Sequence, residues 1–288
     1  STSRGLGDVY KRQLGNDLDK QLTEAGVLAR RLPFQVDNTL RKAINNGEVM
    51  FIDQHLSETV EQMRNLQLKK PDVAIIEAVA ITEDGGIIPT TSVGNSASFA
   101  IFAEKVIVEI NTNLSPAFEG LHDIYIPTYR PTRQPIPLTQ VDERIGTHAI
   151  NIDPSKIVGI VFNSELHDSP STVTAPDDET QSIANHLIAF FEKEVAEDRL
   201  PKSLGPLQAG IGSIANAVLT GLKDSNFEDL IMYSEVLQDC TFELIDAGKM
   251  KFASGSSITL SAKYGEKVFN NLEQYKDKLV LRPQEISN

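Results

Sequence analysis

The sequence contains no tryptophan and only one cysteine, Cys240, among its 288 residues. A single thiol excludes an internal disulfide framework and is typical of proteins from a reducing compartment such as the cytoplasm. No apolar run approaches the ~20 residues that a membrane-spanning helix needs, and no signal-peptide core is visible. We therefore expect a cytoplasmic protein without a membrane partner.

Positive charge is also scarce, because 27 Lys and Arg face 40 Asp and Glu and give a net charge of −13. Binding to nucleic acid or to an anionic membrane needs a concentrated basic face, so neither is expected as a partner. A phosphate-bearing ligand must then be held by backbone amides, helix N-termini or a few Lys and Arg side chains. The histidines are scattered without metal-ligand spacing and predict no metal site. They are His55, His122, His148, His167 and His186.

Short apolar segments alternate with amphipathic ones along the chain, which predicts an α/β fold with mainly parallel sheets. The clearest strand covers residues 73–81, whose nearly continuous apolar run is expected when helices cover both faces of a sheet. The proline-rich residues 126–137 can continue neither a helix nor a central strand and should be extended. Further strands are predicted at residues 49–52, 106–110, 156–162, 230–233 and 279–281.

Two domains are predicted, and they are separated near residue 172. Residues 1–13 lack an initiator Met and any periodicity, so we interpret them as a non-native, adapter-like segment. Residues 163–180 are rich in Ser, Thr, Pro and Asp, which is typical of a linker. The N-terminal domain then covers residues 14–172 and the C-terminal domain residues 173–288. The helix after the linker should bury one apolar face, formed by Ile183, Leu187, Phe190, Phe191 and Val195.

Glu235 is the candidate catalytic residue. It follows the strand at residues 230–233, and Ser234 is placed to cap a helix whose apolar spacing continues through Cys240. Ligands of open α/β sheets bind beyond the carboxyl ends of strands, and a helix N-terminus would keep the carboxylate ionised. On the pattern alone, a solvated glutamate in a first helical turn is the commoner interpretation. A thiol nucleophile at Cys240 is a weaker alternative, because this residue falls on the apolar face of the helix.

Two loops of small residues are candidate binding segments. Residues 206–218 contain a Gly-x-Gly turn that enters a helix, and its amides could bind an anion or a developing oxyanion. The turn alone is weak, since it also permits close helix packing, and it matches neither a dinucleotide fingerprint nor a P-loop. In the loop at residues 90–96, substrate contact by Gly94, Asn95 and Ser96 and an ordinary strand-to-helix connection are equally plausible.

Several blocks taken in order resemble the acetyl-CoA hydrolase/transferase family, which includes succinyl-CoA:acetate CoA-transferases. They are EAVAITEDGGIIPTTSVGNS (residues 77–96), PLQAGIGSIANAV (206–218), YSEVLQD (233–239) and LRPQEISN (281–288). The resemblance covers residues 14–288 and implies two α/β domains of the CoA-transferase type with the site between them. It implies that Glu235 is the nucleophile. It also implies a CoA-contacting loop made of Leu207, Gln208, Ala209, Gly210, Ile211 and Gly212.

The resemblance implies a CoA-transferase that moves CoA between acetyl-CoA or succinyl-CoA and a small carboxylate. The reaction would pass through a glutamyl-CoA thioester on Glu235, with CoA as a substrate, no permanently bound cofactor and a homodimer at full length. Acetyl-CoA hydrolysis by the same glutamate is the alternative, and a non-catalytic ligand-binding domain is the alternative outside enzymes. Family members begin earlier and continue past residue 288 into a half with an active-site asparagine and a CoA-binding loop. Both domains are therefore expected to be incomplete and the chain alone inactive.

Overall fold

The computed structural model describes residues 7–11, 16–33, 35–164 and 176–287. Strands and helices alternate through most of this part of the chain. The strands are β1 (Gly7–Lys11), β2 (Leu28–Pro33), β3 (Met50–Phe51), β4 (Val73–Ile81), β5 (Ile87–Pro89), β6 (Lys105–Asn111), β7 (Ile157–Asn163), β8 (Pro206–Leu207), β9 (Leu230–Tyr233), β10 (Val236–Leu237), β11 (Met250–Gly255), β12 (Ser257–Ile258) and β13 (Leu279–Leu281). The helices are α1 (Asn16–Glu24), α2 (Asn38–Asn45), α3 (Leu56–Arg64), α4 (Ser96–Phe102), α5 (Asp178–Ala196), α6 (Ser213–Lys223), α7 (Asp239–Asp246), α8 (Ala262–Asn270) and α9 (Gln284–Ser287).

Two four-stranded sheets form the centre of the molecule. The first has the order β5-β4-β6-β7 and is parallel except for β5, and the second has the order β13-β11-β9-β8 and is parallel throughout. Two small parallel sheets accompany them, one of β1, β2 and β3 and one of β10 and β12. The predicted α/β fold with mainly parallel sheets is confirmed.

One hydrophobic core connects the two large sheets. It contains Ile76 and Val108 from the first sheet and Met232 and Leu279 from the second, all nearly inaccessible to solvent. Each large sheet is built from one side of residue 172, but residues 165–175 of the predicted linker at 163–180 lie outside the described residues. The two-domain division therefore stays a prediction. Among the described helices, none has the length and apolarity to cross a membrane.

Several apolar runs of the sequence became strands where they were predicted. β4, β9 and β13 occupy the expected positions, and residues 126–137 contain neither a helix nor a strand. Within residues 1–13, whose non-native origin stays a prediction, Gly7–Lys11 forms strand β1. This strand pairs in parallel with β2, a partner about twenty residues away along the chain. Five residues are too few to show a periodicity, so only the pairing reveals the strand.

Two predicted buried faces were confirmed only in part. β4 was expected to be covered on both faces, but Ala74, Ile76 and Ala78 are buried while Val73 and Ile75 are exposed. On α5, the exposed residues Ile183, Leu187 and Phe190 lie outside the core, and Ala184, Ile188, Phe191 and Val195 pack inward. The packing of α5 against α6 decides this orientation. At Gly221 of α6, a Cβ atom would lie 2.3 Å from Cδ1 of Ile188, so the glycine admits that side chain.

Candidate active site

The candidate site lies at one edge of the second large sheet. Because β8, β9, β11 and β13 are parallel neighbours, their carboxyl ends meet at the same edge. Glu235 follows the end of β9 by two residues and is partly buried. Its predicted position beyond the carboxyl end of a strand is confirmed, and this is the edge where ligands of open α/β sheets bind.

The segment after Glu235 is not the predicted helix. Val236 and Leu237 form β10, which pairs in parallel with Ser257 and Ile258 of β12, and α7 begins only at Asp239. Pairing with a distant strand therefore overrides the helical spacing of the apolar residues. The predicted helix N-terminus directly after Ser234 was therefore wrong.

The Gly-x-Gly loop lies directly beside the Glu235 segment. It leaves β8, the neighbour of β9, and the Ser234 hydroxyl donates to the Ala209 carbonyl at 3.1 Å while accepting the Ala209 N–H at 3.4 Å. The Gln238 amide donates to the Gly210 carbonyl at 3.4 Å. The structure thus brings the two candidate segments together, while the catalytic role of Glu235 and the CoA contacts of residues 207–212 stay predictions.

Beyond Ala209 the loop is open to solvent. Gly210, Ile211 and Gly212 are exposed, and Ile211 shows 67% of its surface. Gly212 has a φ of 155°, which side-chain-bearing residues rarely adopt, and α6 begins at the next residue. The loop therefore directs the exposed N-terminus of an eleven-residue helix towards this edge, an arrangement suited to anions and to charge developing on oxygen.

The main chain at Glu235 is held from the opposite side by β12 and the loop at residues 90–96. The Glu235 carbonyl accepts the N–H of Ser256 at 2.7 Å and of Ser257 at 3.2 Å. The Ser256 carbonyl in turn accepts the N–H of Val93 at 3.0 Å. The loop at residues 90–96 therefore belongs to the surroundings of Glu235, although substrate contact by Gly94, Asn95 and Ser96 stays a prediction.

The C-terminal segment of the described chain closes another side of the site. Its α9 is fixed by a hydrogen bond from the Tyr233 hydroxyl to the Ile286 carbonyl and by a buried ion pair between Arg64 and Glu285. Burial raises the pKa of Tyr233, so the phenol stays protonated and able to donate. Tyr233 and Ile286 also line an open cavity of about 230 Å³. Its other lining residues are Ile136, Leu138, Thr139, Gln140 and Val141.

Cys240 is unsuited to nucleophilic attack. Its side chain is 4% exposed on α7, and its thiol donates to Oδ1 of Asn216 at 3.5 Å. Burial raises the pKa of the thiol to about 12, so the reactive thiolate is almost absent near neutral pH. The structure therefore favours the interpretation of Cys240 as a core residue.

Residues whose side chains or amides hold this site were not singled out by the sequence. Ser234 was interpreted as a helix cap, and Gln238 and Ser256 were given no role. Ser234 and Gln238 stand in the same seven-residue block as Glu235, which was a usable signal. The contribution of Ser256 depends on its backbone amide and on strand order, which the sequence does not reveal.

Comparison with known proteins shows one family across most of the chain. Residues 6–162 match the acetyl-CoA hydrolase/transferase N-terminal domain. The chain is 44% identical over 275 residues to a succinyl-CoA:acetate CoA-transferase from Clostridium kluyveri, covering 95% of the chain and 51% of that protein. It is 45% identical over 280 residues to an acetyl-CoA hydrolase from Schizosaccharomyces pombe, covering 95% and 53%.

The solved structures agree on the fold. A 4-hydroxybutyrate CoA-transferase from Porphyromonas gingivalis superposes with a TM-score of 0.58 at 18% identity, covering 93% of this chain and 60% of that one. At this identity the likeness concerns the fold alone. The chain spans about half the length of the relatives it matches by sequence. From the domain match and the relatives together, the chain belongs to the acetyl-CoA hydrolase/transferase family.

Proposed function

We propose that this chain carries the nucleophile of a CoA-transferase, which moves coenzyme A from acetyl-CoA or succinyl-CoA to a small carboxylate through a thioester on Glu235. The observation that supports it best is the position of Glu235 at the carboxyl edge of the sheet, beside the exposed loop at residues 207–212. The relative from C. kluyveri, named a succinyl-CoA:acetate CoA-transferase, supports the same reaction class.

The chemistry requires a carboxylate that can form and release acyl bonds. The Glu235 carboxylate attacks the acyl-CoA carbonyl and expels CoA thiolate, which leaves an acyl-glutamyl anhydride. The thiolate then attacks the glutamyl carbonyl, releases the first carboxylate and leaves a glutamyl-CoA thioester. The acceptor carboxylate reverses both steps and departs as the new acyl-CoA. Thioester energy is retained throughout, and ping-pong kinetics are expected.

The loop after β8 supplies candidate stabilisers for these steps. Each tetrahedral species carries negative charge on oxygen, and backbone N–H groups near Gly210 and Gly212 are exposed at the same edge as Glu235. Loss of one such donor typically slows a reaction ~100-fold or more. Coenzyme A is a substrate in this proposal, and residues 207–212 are its proposed contacts. A homodimeric whole protein and a cytoplasmic location also belong to the proposal.

The first prediction concerns the covalent intermediate in the whole protein that carries this chain. Incubation with acyl-CoA and no acceptor should leave CoA bound to the tryptic peptide of residues 224–249, with fragmentation placing it on Glu235. Glu235→Ala should abolish both the adduct and turnover. Glu235→Asp should lose most of the rate, because a carboxylate one methylene shorter misses the attacking position.

Two matched variants separate Glu235 from its neighbours in that peptide. Glu243→Gln removes another carboxylate and Cys240→Ser removes the thiol, and both should keep the adduct. An active Glu235→Ala variant, or an adduct on Cys240 instead, would refute the assignment.

Net hydrolysis of acetyl-CoA is the second candidate, since the S. pombe relative is named an acetyl-CoA hydrolase. Water would then resolve the glutamyl intermediate in place of the acceptor carboxylate. Release of free CoA thiol should be compared with and without added acetate or succinate. Release at full rate without an acceptor indicates the hydrolase, and dependence on the acceptor indicates the transferase. Binding of CoA with neither activity would indicate a non-catalytic ligand-binding domain.

A further inference from the structure

We propose that Ser234 is a positioning residue, whose hydroxyl holds the loop at residues 207–212 in place against the strand that carries Glu235. This inference rests on the proposed function, because its consequence is a rate. It adds a residue whose side chain makes no proposed contact with substrate and acts through the loop.

The hydroxyl of Ser234 makes a reciprocal connection to one residue of the loop. It donates to the carbonyl of Ala209 at 3.1 Å and accepts the N–H of Ala209 at 3.4 Å. The side chain of Ser234 is 1% exposed, so water cannot replace it easily. Removing the oxygen would leave both backbone groups of Ala209 without this partner in a partly buried position.

Leu207 and Ala209 pack against the core, whereas residues 210–212 are exposed and contribute no side chain to it. The strand β8 that precedes the loop has only two residues, Pro206 and Leu207, and the loop beyond Ala209 is exposed. A Cβ atom at Gly210 or Gly212 would have no neighbouring atom within 4 Å, so the side of each glycine that a side chain would occupy is open. The second side-chain contact is the Gln238 amide on the Gly210 carbonyl at 3.4 Å.

The two contacts enclose Glu235 in sequence. Ser234 precedes it and Gln238 follows it by three residues. Hydrogen bonds from both residues therefore tie the loop to the segment that carries the nucleophile. The Glu235 main chain is itself fixed by the amides of Ser256 and Ser257. Movement of the loop relative to the segment that carries Glu235 would displace the loop's N–H groups from the oxygen on which charge develops. Misplacement by about 1 Å can cost ~100-fold in rate.

The chain provides a matched control in Ser225. Its hydroxyl likewise donates to one backbone carbonyl, that of Leu222 at 2.7 Å, and accepts one backbone N–H, that of Phe227 at 3.3 Å. This residue lies just after the C-terminal end of α6, whereas the loop enters the helix at its N-terminal end. Ser225→Ala therefore removes the same kind of hydrogen bonds from a position remote from the loop.

The test compares Ser234→Ala, Ser225→Ala and the unchanged whole protein by three readouts. Ser234→Ala should lower kcat about tenfold or more, slow formation of the Glu235 adduct by the same factor, and change KM less than kcat. Hydrogen exchange should rise at residues 209–212 in this variant alone. Ser225→Ala should leave kcat within about twofold, whatever it does to thermal stability. Gln238→Ala should show a smaller version of the Ser234→Ala effects.

The outcomes separate this inference from the proposed function. If Ser234→Ala keeps kcat, adduct rate and loop exchange near those of the unchanged protein, the positioning role is wrong and the glutamyl mechanism still holds. Equal losses of kcat in Ser234→Ala and Ser225→Ala would also overturn it, because a general loss of stability would explain both. If the unchanged protein forms no Glu235 adduct, the proposed function fails and this inference fails with it.

Discussion

His122 is a buried imidazole at the border of the candidate site. Its side chain is 1% exposed, and Nε2 lies 2.9 Å from the carbonyl oxygen of Thr90, the first residue of the loop that contacts the Glu235 segment. Burial lowers its pKa to about 4, and the charges of Arg144 and His148 act in the same direction. The imidazole is therefore neutral near pH 7 and serves as a hydrogen-bonding core residue.

At the residue scale, we predict that His122 makes the stability of the fold depend on pH. The unfolded chain binds a proton to His122 with a pKa of about 6.5 and the folded chain only near 4, so folding is favoured above both values. Stability from this group should be complete above pH ~6.5 and fall as the pH drops towards ~4, with a loss of about 2 kcal/mol between pH ~7.5 and pH ~5. Urea unfolding at those two pH values measures the loss.

The control for His122 is a side chain that keeps the hydrogen bond without titrating. His122→Gln can still donate an amide to the Thr90 carbonyl, and its stability should change less over the same pH interval. If the two proteins lose stability equally, other groups explain the acid sensitivity and the assignment to His122 is incorrect.

At the scale of single elements, β10 is held against β11 by a close approach. A Cβ atom on Gly255 of β11 would lie 2.7 Å from Cγ, 3.1 Å from Cδ2 and 3.2 Å from Cδ1 of Leu237. Leu237 is completely buried, so its side chain has no solvent-facing space into which to move. Gly255 therefore permits the two-stranded sheet of β10 and β12, which in turn fixes the residues after Glu235.

The element-scale prediction is that Gly255→Ala destabilises the fold by about 1–3 kcal/mol through overpacking. Leu237→Ala alone should cost about 2–5 kcal/mol, because it leaves a cavity. The double variant should lose at least about 1 kcal/mol less than the sum, since truncated Leu237 makes room for the new methyl group. Chemical denaturation of the four proteins in this cycle gives the coupling. Additive losses would mean that the two positions do not compete for the same space.

A matched glycine tests whether the effect is due to space and not to glycine itself. Gly159 lies in β7, where a Cβ atom would meet only Cγ1 of Ile107, at 4.0 Å. Gly159→Ala should therefore be nearly neutral or slightly stabilising. A loss as large as that of Gly255→Ala would point to a backbone effect common to both strands.

The sequence predicts those elements whose own residues carry the signal. β4 is a nearly continuous apolar run and β9 a short apolar one, and both were placed correctly. β2 was not predicted because it contains Arg31, whose guanidinium is fully buried against Asp19 of α1 at 3.1 Å. A charged residue conceals a strand when its partner comes from another element. Glu235 could be located from the sequence because the apolar run of β9 ends just before it. The contact between Ser234 and Ala209 could not, because it depends on β8 and β9 being neighbours in the sheet.

At the scale of the whole molecule, apolar side chains remain exposed along β7. This is the outermost strand of the first large sheet among the described residues, and Phe162 is 74% exposed, Val158 55% and Val161 52%. It pairs with β6 from Ile157 to Asn163 with one irregularity between Val106 and Ile107, and no described strand pairs with its other edge. An apolar edge strand of this kind is a typical site of association between chains.

The whole-molecule prediction is that the 288-residue chain associates with itself through β7. Phe162→Lys places a charge on the strand and should lower the apparent mass measured by light scattering at raised protein concentration. Leu66→Lys is the matched control, because Leu66 is equally exposed, at 73%, and follows helix α3 outside any strand. This control should leave association unchanged. An equal decrease in both variants would mean that general apolar exposure drives association, and a chain that is monomeric from the start would mean that the edge of β7 is protected.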